Sequence, residues 1–173
     1  MLVNLSDVLT QQGKTLQTEF EYEPDRFSGS MGEFVITEKS PVRIQAKNTG
    51  EGKAYFEGSL DLTFAAQCDR CLKEVPVRLD LRIETVLTAP DTVTEEEDTR
   101  QFMDGYKLDL DALIRNEIVV NWPLKILCKE DCRGICPVCG QDLNEKDCGC
   151  DTFVPDPRMS VLKDIFAGNK EVE

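Results

Sequence analysis

Four thiols near the C-terminus stand at spacings that suit a metal ion. Cys136-Pro-Val-Cys139-Gly is a C-x2-C turn, and Cys148-Gly-Cys150 follows after eight intervening residues. A C-x2-C turn folds the chain around an ion so that both sulfurs face it, and two such pairs complete a tetrahedron with Zn–S near ~2.3 Å. Gly140 and Gly149 supply the backbone freedom that such tight turns demand. Four more cysteines remain, Cys68-x2-Cys71 and Cys128-x3-Cys132, enough for a second set that would join two distant segments. The chain has eight cysteines and no histidine, so a transition-metal site must draw on thiolates or carboxylates. An all-thiolate set favours zinc or an iron–sulfur cluster over magnesium or calcium. The expected cofactor is zinc, one or two ions, held by Cys68, Cys71, Cys128, Cys132, Cys136, Cys139, Cys148 and Cys150.

Other chemistries compete for these residues. Cysteine also serves as a small buried hydrophobe. A redox C-x2-C usually sits at a helix N-terminus near a βαβ unit, whereas Cys68 and Cys71 lie between two alternating, strand-like runs. No iron–sulfur spacing is matched. Cys128, Cys132 and Cys136 would align on a helix, but Gly134 and Pro137 oppose its continuation.

The inventory argues against catalysis. Without histidine the commonest general base near neutral pH is missing, and closed four-thiolate sites leave no open coordination position. Glu74 and Glu130 read as solvated surface carboxylates. P-loop, GxGxxG and GxSxG motifs are absent. The expectation is a non-enzyme with no small-molecule substrate. The N-terminus, MLVNLSDVLTQQGK, lacks a basic n-region and a cleavage site, and no apolar run approaches the ~20 residues of a membrane span. A cytoplasmic location without membrane contact is expected, and a reducing compartment favours metal ligation over disulfides.

Lys and Arg number 20 against 33 Asp and Glu, a formal net charge of −13. Two four-thiolate zinc sites would add roughly −4. Broad electrostatic attraction to nucleic acid is thereby excluded, but a local basic patch is not. Residues 39–82 hold eight Lys/Arg against six acidic residues. Within them Arg70, between two candidate ligands, and Lys73, just after, are candidate phosphate contacts; the plainer reading makes them solubilising charges.

These residues need a scaffold. The 173-residue chain, 40% hydrophobic, suffices for one ordinary domain with a small appendage. Leu2, Leu5, Val8 and Leu9 form a short amphipathic stretch ended by Gly13. Strands are expected at Leu16–Tyr22 and at Glu33–Ala46, the latter bent at Pro41. Strict alternation from Ala54 to Ala66, and again from Val75 to Ile83, predicts two antiparallel neighbours, each with one buried and one wet face. Residues 89–104 read as an acidic loop, Leu108–Trp122 as a helix stopped by Pro123, and Asp156-Pro157 as the start of a short last helix bearing Met159, Leu162 and Phe166. The expected fold is α+β: a mainly antiparallel sheet packed on a helix over residues 1–127, then a zinc-bound, loop-rich segment and short helix over 128–173.

The runs CDRCLKEVPVRL at 68–79, LDLDALIRNEIVVNWPLKILCKEDCRGICPVCGQDLNEKDCGC at 108–150 and DPRMSVLKDIF at 156–166 together resemble the bacterial and plastid YceD family, the large ribosomal RNA subunit accumulation proteins. The block CKEDCRGICPVCGQDLN carries most of the resemblance. It implies an accessory role in ribosome biogenesis, with large-subunit ribosomal RNA or a ribosomal protein as partner. Two mechanisms fit: contact with RNA or a nascent particle, and an acidic adaptor or chaperone for a basic ribosomal protein, which the net charge of −13 favours. A thiol-based redox or zinc sensor is a third reading, in which oxidation of the thiolates ejects the metal.

Overall fold

Alternation makes the longest elements. In this computed structural model, which describes residues 1–29, 31–92 and 100–151, β6 (Lys53–Gln67) and β7 (Glu74–Thr88) form one antiparallel hairpin paired without interruption along both strands. Phe56, Leu60, Leu62 and Phe64 of β6 and Leu79, Leu81 and Ile83 of β7 are buried, while Glu57, Asp61, Arg78, Asp80, Arg82 and Glu84 are exposed. The one-sided burial that the period of two demands is therefore met.

The opposite edge of β6 is shared. β5 (Val42–Gly50) pairs with its first half and β4 (Gly32–Lys39) with its second. β2 (Thr15–Phe20) extends the sheet beyond β5, and β3 (Arg26–Gly29) extends it beyond β4. The single strand expected over Glu33–Ala46 is thus two strands laid end to end on one neighbour. Ser40 bridges the break: its N–H donates to the Asp61 carbonyl at 2.9 Å, and its hydroxyl accepts from the Asp61 N–H at 2.9 Å. Pro41 has no N–H to offer there.

A second antiparallel sheet of three short strands joins the chain's beginning to its later part: β1 (Leu2–Asn4), β9 (Lys107–Asp109) and β8 (Met103–Asp104), with β9 central. This corrects the helical stretch expected from Leu2. Only α1 (Ser6–Thr10) is helical; Leu2 is exposed on β1, whereas Val3, Leu5, Val8 and Leu9 are buried. α2 (Leu110–Asn121) begins two residues later than expected because Leu108 belongs to β9. Its cap is Asp109, whose side chain accepts from the Ala112 N–H at 3.1 Å. Leu110, Leu113, Ile114 and Ile118 of α2 lie in the same buried cluster as the β6 and β7 side chains. Trp122, just beyond the helix, meets Phe64 edge-on with ring centroids 5.2 Å apart.

The acidic loop expected over 89–104 is also corrected at its ends. Ala89 is buried and its N–H donates to the Gly52 carbonyl at 2.8 Å. Arg100–Phe102 is a 3-10 turn, and Phe102 and Met103 pack against the core. Residues 93–99 of that loop, and the expected helix at 156–166, lie outside the described residues. Residues 128–150 contain turns and one isolated bridge, Ile135 with Asp142. Among the described residues no helix is long and apolar enough to cross a membrane.

Candidate metal centres

The β6–β7 turn and the segment after Trp122 carry the first four thiols. The Cys68 N–H donates to the Lys73 carbonyl at 2.8 Å and the Leu72 N–H to the Cys68 carbonyl at 2.9 Å, which curls residues 68–73 into a tight loop with Leu72 at φ 61°. Asp69 ties this loop to the later segment from both sides. Its N–H donates to the Ile126 carbonyl at 2.8 Å, and its carboxylate accepts from the Ile126 N–H at 2.7 Å. Cys128 and Cys132 are thereby set opposite Cys68 and Cys71. The Cys68 and Cys132 sulfurs are 3.8 Å apart, those of Cys71 and Cys128 3.5 Å, and all four lie within 4.8 Å of one another. A tetrahedral site with bonds of ~2.3 Å has sulfurs ~3.8 Å apart, so the set fits zinc. Cys68, Cys71 and Cys132 are buried with Leu127 packed against them, and Cys128 is the least buried of the four.

The second set is built within a short stretch. Cys136, Cys139, Cys148 and Cys150 also bring their sulfurs within 4.8 Å of one another. The 136–141 loop repeats the hydrogen bonding of 68–73. The Cys136 N–H donates to the Gln141 carbonyl at 2.8 Å and the Gly140 N–H to the Cys136 carbonyl at 2.9 Å, with Gly140 at φ 74°. Here only Cys136 is buried; Cys139 is exposed, and Cys148 and Cys150 are half-buried.

Both sets are electrostatically incomplete as bare thiols. Burial pushes the Cys68 thiol up, but the N–H groups of Cys71, Arg70 and Cys128 outweigh it and bring it down to about 6. Its neighbour Cys128 is held at about 12 by Cys132 and Cys71. In the second set the Cys139 and Val138 N–H groups lower Cys136 to about 7, while Cys139 and Cys148 raise Cys150 to about 12. Thiols this close cannot all ionise against one another, and a divalent cation removes the conflict. Eight sulfurs grouped four and four can therefore hold two ions, with no fifth donor from histidine.

The two sets are joined by residues that spacing alone did not single out. Asn144 donates to the Cys132 sulfur at 3.4 Å, and its side-chain carbonyl accepts from the Arg133 N–H at 2.9 Å. Asp142 accepts from the Asn144 backbone at 2.8 Å and pairs with Lys73 at 2.8 Å; Glu145 pairs with Lys73 at 2.9 Å. Lys73 holds the Asp142 carboxyl down at about 2. Arg70 donates to the Cys132 carbonyl at 2.6 Å, and its own carbonyl accepts from the Ile135 N–H at 3.1 Å. A Cβ on Gly134 would stand 2.9 Å from that Arg70 carbonyl, so only glycine fits there. Both expected phosphate contacts, Arg70 and Lys73, thus have protein partners that clamp the hairpin loop to the cysteine-rich segment. Glu74 and Glu130 are exposed and in neither set.

Comparison with known proteins finds relatives of the chain and one matching family. An uncharacterized protein of Mycobacterium tuberculosis is 27% identical over 139 residues, 68% of this chain and 66% of the relative. The chain thus spans about two thirds of that relative's length. The uncharacterized protein YlbN of Bacillus subtilis is 24% identical over 140 residues, 76% of this chain and 78% of the relative. No solved structure matches the chain. The model of one family, described as large ribosomal RNA subunit accumulation protein YceD, matches residues 56–166, a span that holds all eight cysteines.

Proposed function

The chain belongs to the YceD family of large ribosomal RNA subunit accumulation proteins, and from that membership we propose that it is a non-enzymatic, zinc-binding accessory factor in ribosome biogenesis that supports accumulation of large-subunit ribosomal RNA in the cytoplasm. The family match over residues 56–166 carries this reading. The two four-thiolate sets support the non-catalytic part. Two closed sites leave no coordination position for a substrate or an activated water. The first ion staples the β6–β7 loop to the segment after α2, and the second holds residues 136–150 in shape.

Sedimentation tests the reading. The protein is expected to travel with large-subunit precursor particles in a gradient, and its depletion should lower large-subunit ribosomal RNA relative to small-subunit RNA. A protein that stays at the top of the gradient, with an unchanged RNA ratio on depletion, overturns it.

A second mechanism within the same role is favoured by the ion pairs of Lys73 with Asp142 and Glu145 and by the bond from Arg70 to Cys132. With those two cations engaged and a net charge of −13, an adaptor for a basic ribosomal protein is better served than direct RNA contact. Salt-sensitive binding to a basic large-subunit protein, with no affinity for naked RNA, is the expected outcome.

A further inference from the structure

Among the described residues β7 has a strand on one side only. The pairing sum of the hairpin, together with the bonds from the Cys68 N–H to the Lys73 carbonyl and from the Ala89 N–H to the Gly52 carbonyl, fixes which residues bond inward. Odd-numbered residues of β7 direct their backbone groups at β6, and even-numbered ones direct theirs outward. From Glu74 to Glu84 the outward set is Glu74, Pro76, Arg78, Asp80, Arg82 and Glu84, all exposed; Val86 and Thr88, at the end of β7, are half-buried and buried. Pro76, which has no N–H, falls on an outward position, as an edge strand permits.

We propose that this edge pairs with the same edge of a second copy of the chain, antiparallel about a two-fold axis at Leu81, so that β7 continues one sheet across a dimer. Charge complementarity selects this partner and this register. With Leu81 opposite Leu81, Asp80 faces Arg82 of the second copy and Arg78 faces Glu84, each contact occurring twice. Every charge from 78 to 84 meets its opposite. Asp80 and Arg82 already pair within the strand at 2.9 Å, so across the axis the four groups close a ring of alternating charge. The two neighbouring registers that keep the hydrogen bonding lose this. One sets Asp80 against Asp80 and Arg78 against Arg82; the other sets Arg82 against Arg82 and Asp80 against Glu84. Charged side chains and proline commonly blunt an edge against pairing; here the charges from 78 to 84 alternate in sign, so that a copy is attracted in a single register. Four hydrogen-bonded residue pairs, exchanging about eight backbone bonds, form without any change in the core face, because Leu79, Leu81 and Ile83 are already buried. An interface of this kind is small, so the dimer is reversible.

Sedimentation velocity and amide hydrogen exchange of the full metal-loaded chain test this together over a broad range of protein concentration. The mass should rise from 19.5 kDa to twice that, and the amides of Arg78, Asp80, Arg82 and Glu84 should gain protection in step with it. Arg78→Glu places like charges opposite Glu84 twice and should weaken association by about tenfold or more. Adding Glu84→Arg to it should restore the dimer, and unfolding midpoints should show that both variants remain folded. The proposal is overturned by a chain that stays monomeric throughout, by a dimer indifferent to Arg78→Glu, or by one the double exchange does not restore. Protection of these amides only on addition of a basic protein assigns the edge to that partner and likewise overturns it.

Discussion

Leu72 and Gly140 occupy the same place in two copies of one turn, four residues after Cys68 and Cys136, each with positive φ. Glycine takes that conformation freely; leucine does so against the clash of its Cβ. Leu72 is also 57% exposed, so its side chain gains little from burial. Leu72→Gly is expected to raise stability by about 0.5–1 kcal/mol in urea unfolding. Asn144→Ala should lower metal retention at the first set about tenfold in chelator competition, because the Asn144 amide orients the Cys132 sulfur. The Lys73–Asp142 tie has a defined pH range. Asp142 has its carboxyl lowered to about 2, so its contribution is complete above the ordinary 3.8 and fades as pH falls toward 2. Lys73 is raised above 10.5, so its contribution is complete below that value and is lost only in stronger alkali. The difference in unfolding midpoint between the wild type and Lys73→Met should therefore be flat through the neutral range and shrink in acid. At this scale the thiols were legible, since their spacing encodes the turns. Leu72 was not, because no glycine marks it. Asp142 and Asn144 were not, because in an acidic chain a carboxylate bound for an ion pair looks like any solvated one.

The elements respond separately to loss of each thiol set. Cys139→Ser is expected to unfold residues 136–150 locally and to leave one bound ion, with the strand signal in circular dichroism intact. Cys71→Ser should instead loosen the junction between the β6–β7 loop and the segment after α2, seen as faster amide exchange at Asp69 and Ile126. Phe64, fully buried between Phe27 and Trp122, anchors the sheet itself. Phe64→Ala should lower stability by about 3–5 kcal/mol. The hairpin was legible because its alternation is unbroken over many residues. The split of 33–46 into β4 and β5 was not, because both halves serve one edge of β6 and keep the same period. β1, β8 and β9 are two or three residues long. A period cannot be read from so few, and β1 pairs with β9 across about a hundred positions of chain.

For the whole molecule, metal and charge act together. Elemental analysis of protein purified without added metal is expected to find two zinc ions per chain. A single ion would leave one thiol set free for the redox chemistry set out above. Removing the metal should collapse residues 128–150, which have few apolar residues to replace it, while the sheet, with its own buried cluster, stays folded. Thiolate-bound zinc would deepen the charge of −13, and so strengthen the attraction to a basic partner.

The first thiol set brings together residues 57 and 64 positions apart, whereas the second closes within fifteen consecutive residues. That difference sets an order in time. During synthesis Cys68 and Cys71 leave the ribosome several seconds before Cys128 and Cys132, at about 5–20 residues per second. In that interval they offer an ion only half a site. The first ion is bound in full only after β7 and α2 have been made, so its capture records that the chain between has been delivered. The second ion needs no such wait.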